Sequence, residues 1–176
     1  NTGSYNTAVG SQSLFSNTTG EQNVALGSVT LDENTTGSYN VAIGTSALTK
    51  NTIGQQNVAV GTSSLYSNVS GNYNTAVGDQ AMNYNTTGYS NTGIGLQALF
   101  RNETGFDNTA LGFQALYNNT TGDLNTGLGF RAGYNNFSGN RNVFIGYEAG
   151  YNELGSNKLY ISNSQSSNLI TGDFST

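Results

Sequence analysis

Residues 54–70 read GQQNVAVGTSSLYSNVS, and residues 71–87 read GNYNTAVGDQAMNYNTT. Both stretches carry glycine at their first and eighth positions and asparagine at their fourth and fifteenth positions. The same 17-residue spacing runs through most of the 176-residue chain, and two columns of nine glycines each hold 18 of its 24 glycines. Such a short, strict period predicts a stack of similar coils, in which each coil contacts mainly its two neighbours.

The repeat predicts β-structure and not helices. Seventeen residues are too few for a helix–turn–helix unit, and Gly and Asn at fixed positions divide the chain into runs of about five residues, which suit strands. We expect two short strands per coil, in the first coil near residues 6–9 and 13–15, that stack in register as parallel ladders. The glycine columns that begin at Gly3 and Gly10, and the asparagine column that begins at Asn17, are expected at corners with positive φ.

The predicted fold is therefore an all-β parallel β-solenoid, or β-roll, with about 17 residues per coil. About nine regular coils cover residues 1–152, and residues 153–176 are expected to form an irregular C-terminal segment that leads to a missing downstream domain. The stack would be a rod about 45–50 Å long, because neighbouring strands lie about 4.8 Å apart.

An unbroken column of large apolar residues, together with the small residues before it, carries the main inference about assembly. Adjacent residues of a strand point to opposite faces, so a strand that is apolar on both faces is buried on both. One face fills the coil together with the column that begins at Leu14, and the other needs a cover from another copy of the chain. We therefore expect a homotrimer around one axis; the alternative is a flattened monomeric solenoid with an exposed stripe. Which apolar column faces the axis is left open by the sequence. The large column, predicted to form the trimer interface or core, comprises Val9, Leu26, Ile43, Val60, Val77, Ile94, Leu111, Leu128 and Ile145.

Composition excludes several classes of function. Charged residues make up 9% of the chain, the net charge is −5 and there are only five Lys and Arg residues, so no nucleic-acid partner is expected. Without His or Cys, and with ten scattered acidic residues, the sequence predicts no enzyme, no catalytic residues, no cofactor and no metal site. No apolar run approaches the ~20 residues that cross a bilayer, so no membrane insertion is expected of this chain.

Aromatic residues concentrate in the C-terminal half, largely in two columns, and two uses are open for them. Exposed Tyr and Phe rings on a neutral, Asn-rich wall suit the faces of sugars. Alternatively, Gly133 and Gly150 replace leucines of the Leu14 column, so nearby rings can fill the space and cap the stack. A row of threonines that begins at Thr19 offers ice as a further ligand. The residues predicted to bind glycans, if any do, are Phe113, Tyr117, Phe130, Tyr134, Tyr147 and Tyr151.

Several phrases of the chain resemble known repeats. Asn-Thr-Ala-Val-Gly at 6–10, Asn-Val-Ala-Ile-Gly at 40–44 and Asn-Thr-Ala-Leu-Gly at 108–112 resemble the YadA-like head repeats of trimeric autotransporter adhesins, which implies a left-handed trimeric β-roll. The longer unit, such as NTTGDLNTGLGFRAGYNN at 119–136, is more similar to repeats of phage tail fibres and fibre-like bacterial surface proteins. Many of those end in an intramolecular chaperone of the endosialidase type, and SNKLYISNSQSSNLITGDFST at 156–176 resembles the segment that leads to it. The chaperone itself is not in this sequence, so self-cleavage is not carried over.

The pattern and the resemblance together predict a structural role. We expect a shaft or head module of an extracellular trimeric fibre, on a cell surface or a virion, that supports attachment to a host or surface. Its main partner would be itself, as a homotrimer, with surface glycans or a host receptor as further partners. The alternative function is a ligand-binding wall for glycans or ice.

Overall fold

The computed structural model describes residues 2–175; residues 1 and 176, the outer ends of the two predicted segments, lie outside the described part. Eleven strands in this part form one sheet, in which the spatial order follows the chain order. The strands are β1 Thr7–Val9, β2 Val24–Leu26, β3 Val41–Ile43, β4 Val58–Val60, β5 Thr75–Val77, β6 Thr92–Ile94, β7 Thr109–Leu111, β8 Thr126–Leu128, β9 Val143–Ile145, β10 Lys158–Ile161 and β11 Ile170–Asp173. Residues 2–175 contain no helix, and hence none long and apolar enough to cross a membrane.

The coils stack in parallel with a constant register. Val58 lies opposite Thr75, and Val60 lies opposite Val77. The same shift of 17 residues relates each of β1 to β8 to the next strand. The predicted parallel β-solenoid, with about nine coils of about 17 residues, is confirmed.

Only one of the two strands predicted per coil forms. Residues 13–15 are turns, because alternate residues such as Gln12 and Leu14 adopt positive φ angles of 57° and 53°. A strand needs successive extended residues, so this alternation bends the chain around the coil instead. The turns still form hydrogen bonds between coils, as where the Leu14 N–H donates to the Thr30 carbonyl at 2.9 Å. Backbone ladders therefore run along more than one side of the rod.

The inside of each coil holds the small residue of the strand. Ala25, Ala42 and Ala59 are fully buried, and the Leu14 column packs beside them. The large neighbour points outward, so Ile43 is 36% exposed. The structure thus settles which apolar column fills the coil: it is the alanine column, and the Val9 column lies outside. A 17-residue coil encloses so little space beside its leucine that only a small second side chain fits.

Two asparagine columns also lie inside and form hydrogen-bonded ladders. In the Asn17 column, Asn68 Nδ2 donates to Asn51 Oδ1 at 2.8 Å and to Gly71 O at 3.0 Å, and Asn68 Oδ1 accepts from Asn85 Nδ2. In the Asn6 column, the side-chain oxygens from Asn6 to Asn125 each accept the backbone N–H of the asparagine 17 residues later, as in Asn74 N–H to Asn57, and Asn142 accepts the Lys158 N–H. The prediction that the Asn17 column adopts positive φ is wrong, because none of its residues does. These asparagines pair with one another and with buried backbone groups inside the narrow coil, so their polar atoms are satisfied by the protein itself.

The two glycine columns serve different purposes. Gly61, in the Gly10 column, has a φ of +132°, a conformation that L side chains rarely adopt, as predicted. Gly71, in the Gly3 column, lies outside that region, so the prediction of a positive φ is wrong there. It must be glycine for lack of space: a Cβ atom would lie 2.3 Å from Gly88 O and 2.4 Å from Asn68 Oδ1. The Gly3 column thus leaves room for the asparagine ladder.

The C-terminal end departs from the repeat and closes the stack. β10 pairs with β9 in parallel, and β11 then pairs with β10 in the antiparallel direction. In β9, Phe144 stands where other coils have alanine or glycine and is fully buried. A Cβ atom on Gly133 or Gly150 would lie 2.4 Å or 2.2 Å from a carbon of the Phe144 ring. An aromatic ring therefore fills the space left by the missing leucines, as one interpretation of the sequence predicted.

Candidate functional site

The outer face of the sheet carries an apolar stripe, defined here as the first and third residues of β1 to β9. These side chains are half-buried or exposed, and Val9 and Leu111 are among the most exposed. The stripe contains only Thr, Val, Ile and Leu, without a charge or an amide. At the usual strand spacing of about 4.8 Å it is about 40 Å long. All nine residues of the predicted trimer-interface column lie in this stripe.

The predicted glycan-binding aromatics fall into two ladders on another part of the surface. In the first ladder, Phe113, Phe130 and Tyr147 stack with ring centroids 5.2 and 5.1 Å apart and interplanar angles of 14° and 4°. The second ladder comprises Phe100, Tyr117, Tyr134 and Tyr151, with centroids 4.9, 5.0 and 4.9 Å apart. The structure therefore brings the six predicted residues together as two groups of three.

A polar row lies beside the two aromatic ladders and was missed by the sequence analysis. Gln114 Nε2 donates to Gln97 Oε1 at 2.8 Å, and Arg131 Nε donates to Gln114 Oε1 at 2.9 Å. The Arg131 guanidinium lies 5.1 Å from the Phe130 ring centroid, 5.8 Å from that of Phe113 and 5.5 Å from that of Tyr134, so it contacts rings of both ladders. The signal was present, because these polar residues are spaced by 17.

Face-to-face stacking limits what the ladders can bind. A sugar packs on an exposed aromatic face, whereas Phe130, Tyr117 and Tyr134 each have a ring on both sides. Such rings offer only their edges, and each stacked pair stabilises the rod by about 0.5–1.5 kcal/mol beyond its buried area. The geometry supports the structural interpretation for the inner rings. Tyr147 and Tyr151, the last ring of each ladder, have a ring partner on one side only within residues 2–175.

The threonine row considered for ice lies beside a second row whose hydroxyls are used internally. Thr18 Oγ1 donates to Thr35 O at 2.8 Å, and Thr35 Oγ1 donates to Thr52 O at 2.9 Å. The neighbouring row, which begins at Thr19, is exposed but is interrupted by Ile53. A flat, regular hydroxyl array is therefore not formed at this corner.

A cavity of about 220 Å³ lies at the C-terminal end of the second ladder, next to Tyr151. Glu153 and Tyr160 line it, and the Tyr160 hydroxyl donates a 2.5 Å hydrogen bond to the Glu153 carboxylate. This hydrogen bond, together with burial and the negative charge of Glu153, raises the pKa of Tyr160 to about 12. No sequence pattern indicated this cavity, because much of its wall comes from the non-repetitive C-terminal segment.

The Tyr160 pKa gives a testable pH dependence. We expect the phenol of Tyr160 to ionise near pH 12 in the folded chain, against about 10 in the unfolded chain. Because the folded value is the higher one, the hydrogen bond contributes its full stability below pH 10 and loses it as the pH rises from 10 to 12. The measurement is the tyrosinate absorbance of the wild type minus that of Tyr160→Phe as a function of pH. In Glu153→Gln, the same difference curve should shift towards pH 10; a wild-type curve already centred there would contradict the structure.

Comparison with protein-family models, with curated proteins and with solved structures found no match to this chain. Within residues 2–175, no group of three or more His, Cys, Asp or Glu side chains is arranged to hold a metal ion. The candidate sites on this part of the chain are therefore the apolar stripe, the free ends of the aromatic ladders and the cavity beside Tyr151.

Proposed function

We propose that this chain is a structural shaft or head module of an extracellular trimeric fibre, either a bacterial adhesin or a phage tail fibre, which supports attachment to a host or surface. The observation that carries the proposal is the apolar stripe, which leaves one face of an otherwise closed rod uncovered. Soluble monomers rarely expose a continuous apolar patch of more than a few hundred Å² unless it is an interaction site.

A second copy of the chain is the partner that fits the stripe best. The stripe repeats every 17 residues over about 40 Å, and a partner with the same repeat matches it along its full length. A closed rotational axis covers every stripe in the assembly at once, whereas an open arrangement leaves some exposed. The stripe is only two residues wide. A contact surface this narrow suits three chains that meet at one axis better than a broad, flat interface with a single partner.

The rod has the construction that a spacer requires. Hydrogen bonds join each coil to the next on several sides, and the asparagine ladders do the same inside. Stretching or bending the rod breaks many of these bonds at once, so the module transmits force and resists proteases. In this role the inner aromatic rings stabilise the C-terminal coils, and the module supports attachment mainly through the length of its rod.

The trimer is tested by sedimentation equilibrium. The wild type is expected to sediment at about three times the chain mass of 18.4 kDa. Val60→Asp places a carboxylate in the stripe, where trimer formation would bury it without a partner at several kcal/mol per copy. We therefore expect Val60→Asp to remain folded but to dissociate into monomers at micromolar concentration.

Gln55→Asp is the matched control, because it adds the same charge at an exposed position five residues earlier in the same coil. Its mass should remain that of the wild type, and its stability should change by about 0.5 kcal/mol or less. A wild type that is monomeric at micromolar concentration would refute the proposal. A trimer that Val60→Asp leaves intact would show that the stripe is not its interface.

A further inference from the structure

We infer that the cavity beside Tyr151 binds one neutral hexose unit of a glycan, with the Tyr151 ring as its stacking platform. The cavity is built by one chain, so the inference is independent of the trimeric fibre proposed above. It also differs from a glycan wall along the ladders, because a single ring at the end of one ladder receives the sugar.

Tyr151 is the one member of its ladder with an open face on the side of the C-terminal segment. Its ring stacks on Tyr134 at 4.9 Å and 3°, which fixes the ring plane. On the other side it has no ring partner within residues 2–175, and Tyr151 lines the cavity whereas Tyr134 does not. A ring that is already held in place loses little conformational freedom on binding, which favours affinity.

The size of the cavity fits one sugar ring. An enclosed protein cavity of about 150 Å³ accommodates benzene; this one is open to solvent, and its volume of about 220 Å³ is in the range of one six-membered sugar ring, with room for hydroxyl groups to project outward. Drug-sized ligands occupy about 300–1,000 Å³. An adjoining cavity of about 530 Å³ shares Glu153, Tyr160 and Asn168 with the first and offers room for the next units of a chain.

The polar groups around the cavity suit hydroxyl groups. Glu153 is held by two hydrogen bonds, one from the Gly155 N–H at 2.7 Å and one from the Tyr160 hydroxyl. The fixed carboxylate retains lone pairs that can accept sugar hydroxyls. The side-chain amides of Gln165 and Asn168 are exposed and have no hydrogen-bond partner within residues 2–175, so they are free to donate and accept.

Charge selects neutral sugars over acidic ones. Glu153 lines both cavities, and the nearby cation, Lys158, forms an ion pair with Asp173. An acidic sugar would therefore place its carboxylate near Glu153 without a free cation to compensate. Hexoses and N-acetylhexosamines carry no such charge, and their apolar ring faces pack on tyrosine.

The test is saturation-transfer NMR on the intact chain with the methyl glycosides of glucose, galactose, mannose, N-acetylglucosamine and N-acetylgalactosamine. We expect at least one of them to bind, with a Kd on the order of 1 mM for a single unit. Glucuronic acid and N-acetylneuraminic acid should bind at least tenfold more weakly. Tyr151→Ala should weaken binding of the best glycoside at least tenfold.

Two further variants keep the result interpretable. Tyr117→Ala removes a ring from the same ladder with both faces covered, and should leave the Kd unchanged. Asn168→Ala removes an exposed amide without a structural partner, so it should stay folded by circular dichroism and weaken binding about threefold or more; it decides the question if Tyr151→Ala unfolds. The inference is overturned if none of the neutral glycosides binds, if the acidic sugars bind better, or if Asn168→Ala or a folded Tyr151→Ala binds as the wild type does. It is also overturned if Tyr117→Ala is impaired as much as Tyr151→Ala.

Discussion

Asn68→Asp is expected to destabilise the solenoid by about 4 kcal/mol or more at neutral pH, although the two side chains have nearly the same shape. Asn68 is fully buried, and its Nδ2 donates to two oxygens, those of Asn51 and Gly71. Aspartate places an oxygen where both neighbours also present oxygens, and it adds an uncompensated buried charge. Replacing the Nδ2 nitrogen by an oxygen thus breaks the hydrogen-bonded ladder, although the volume of the side chain hardly changes.

The loss should depend on pH in a defined direction. Burial beside two acceptors raises the pKa of the new carboxyl group above its unfolded value of about 3.9. The charge penalty is therefore absent below pH 3.9 and grows as the pH rises above it. Below that pH the protonated acid can donate one hydrogen bond to Asn51 Oδ1. Urea unfolding at pH 3 and pH 7, each compared with the wild type, measures the difference.

Asn72→Asp is the matched control for this prediction. Asn72 is partly exposed, and its Oδ1 accepts the Gln55 N–H, a hydrogen bond that aspartate retains. We expect a change of about 0.5 kcal/mol or less. If both variants unfolded at the same urea concentration at pH 7, the buried asparagine ladder would not be the stabilising element described above.

Phe144→Ala is expected to cost about 3–5 kcal/mol, because it empties the space that a fully buried ring fills at the C-terminal end. Substitutions at two neighbouring glycines should restore part of this stability. Gly133 and Gly150 have φ angles of +63° and +59°, close to the +51° of Leu48 in the same column. Leucine is therefore compatible with their backbone once the ring is gone and the end of the flexible Leu116 side chain, 2.7 Å from a Cβ atom on Gly133, moves aside. Adding Gly133→Leu and Gly150→Leu to Phe144→Ala should restore more than half of the lost stability, as measured by chemical unfolding.

Gly133→Leu in the chain that retains Phe144 provides the control. A Cβ atom at either glycine meets the ring at less than 2.5 Å, so Gly133→Leu alone should be destabilising. We thus expect Gly133→Leu to lower the free energy of unfolding when Phe144 is present and to raise it in the Phe144→Ala background. An equal effect of Gly133→Leu in both backgrounds would mean that the ring does not occupy this space.

Periodicity was sufficient to predict the coil length and the parallel register. It was not sufficient for the second strand, because Gln12 and Leu14 adopt left-handed conformations that such residues usually avoid at about 1–2 kcal/mol each. Hydrogen bonds between coils, and burial of the leucine in the coils that carry one, offset this penalty, and neither is visible in a single coil of sequence. Gly61 was predictable from its residue type alone, whereas Gly71 required knowledge of the asparagine beside it.

The candidate sites also differ in how far the sequence alone could predict them. One column of the apolar stripe, the Val9 column, was evident in the sequence, but alternation along a strand does not tell whether that column or the alanine column faces inward; Ala59 lies inside because the coil is narrow. The aromatic columns were evident, whereas the covering of the Tyr117 ring faces depends on side-chain orientation. The cavity beside Tyr151 joins residues from an irregular segment, where no period indicates which side chains meet.

The constant shift of 17 residues between paired strands also determines how the chain can fold. Every coil docks on residues about 17 positions away, so the regular part has a relative contact order of about 0.1, in the range of fast-folding domains. Each new coil closes a loop of the same modest length onto a template that already exists. Once one pair of coils has formed, the rest can wind onto it in sequence while the chain is still being synthesised. A longer solenoid built this way needs no contact between distant parts of the chain, so its folding time should grow only in proportion to its length.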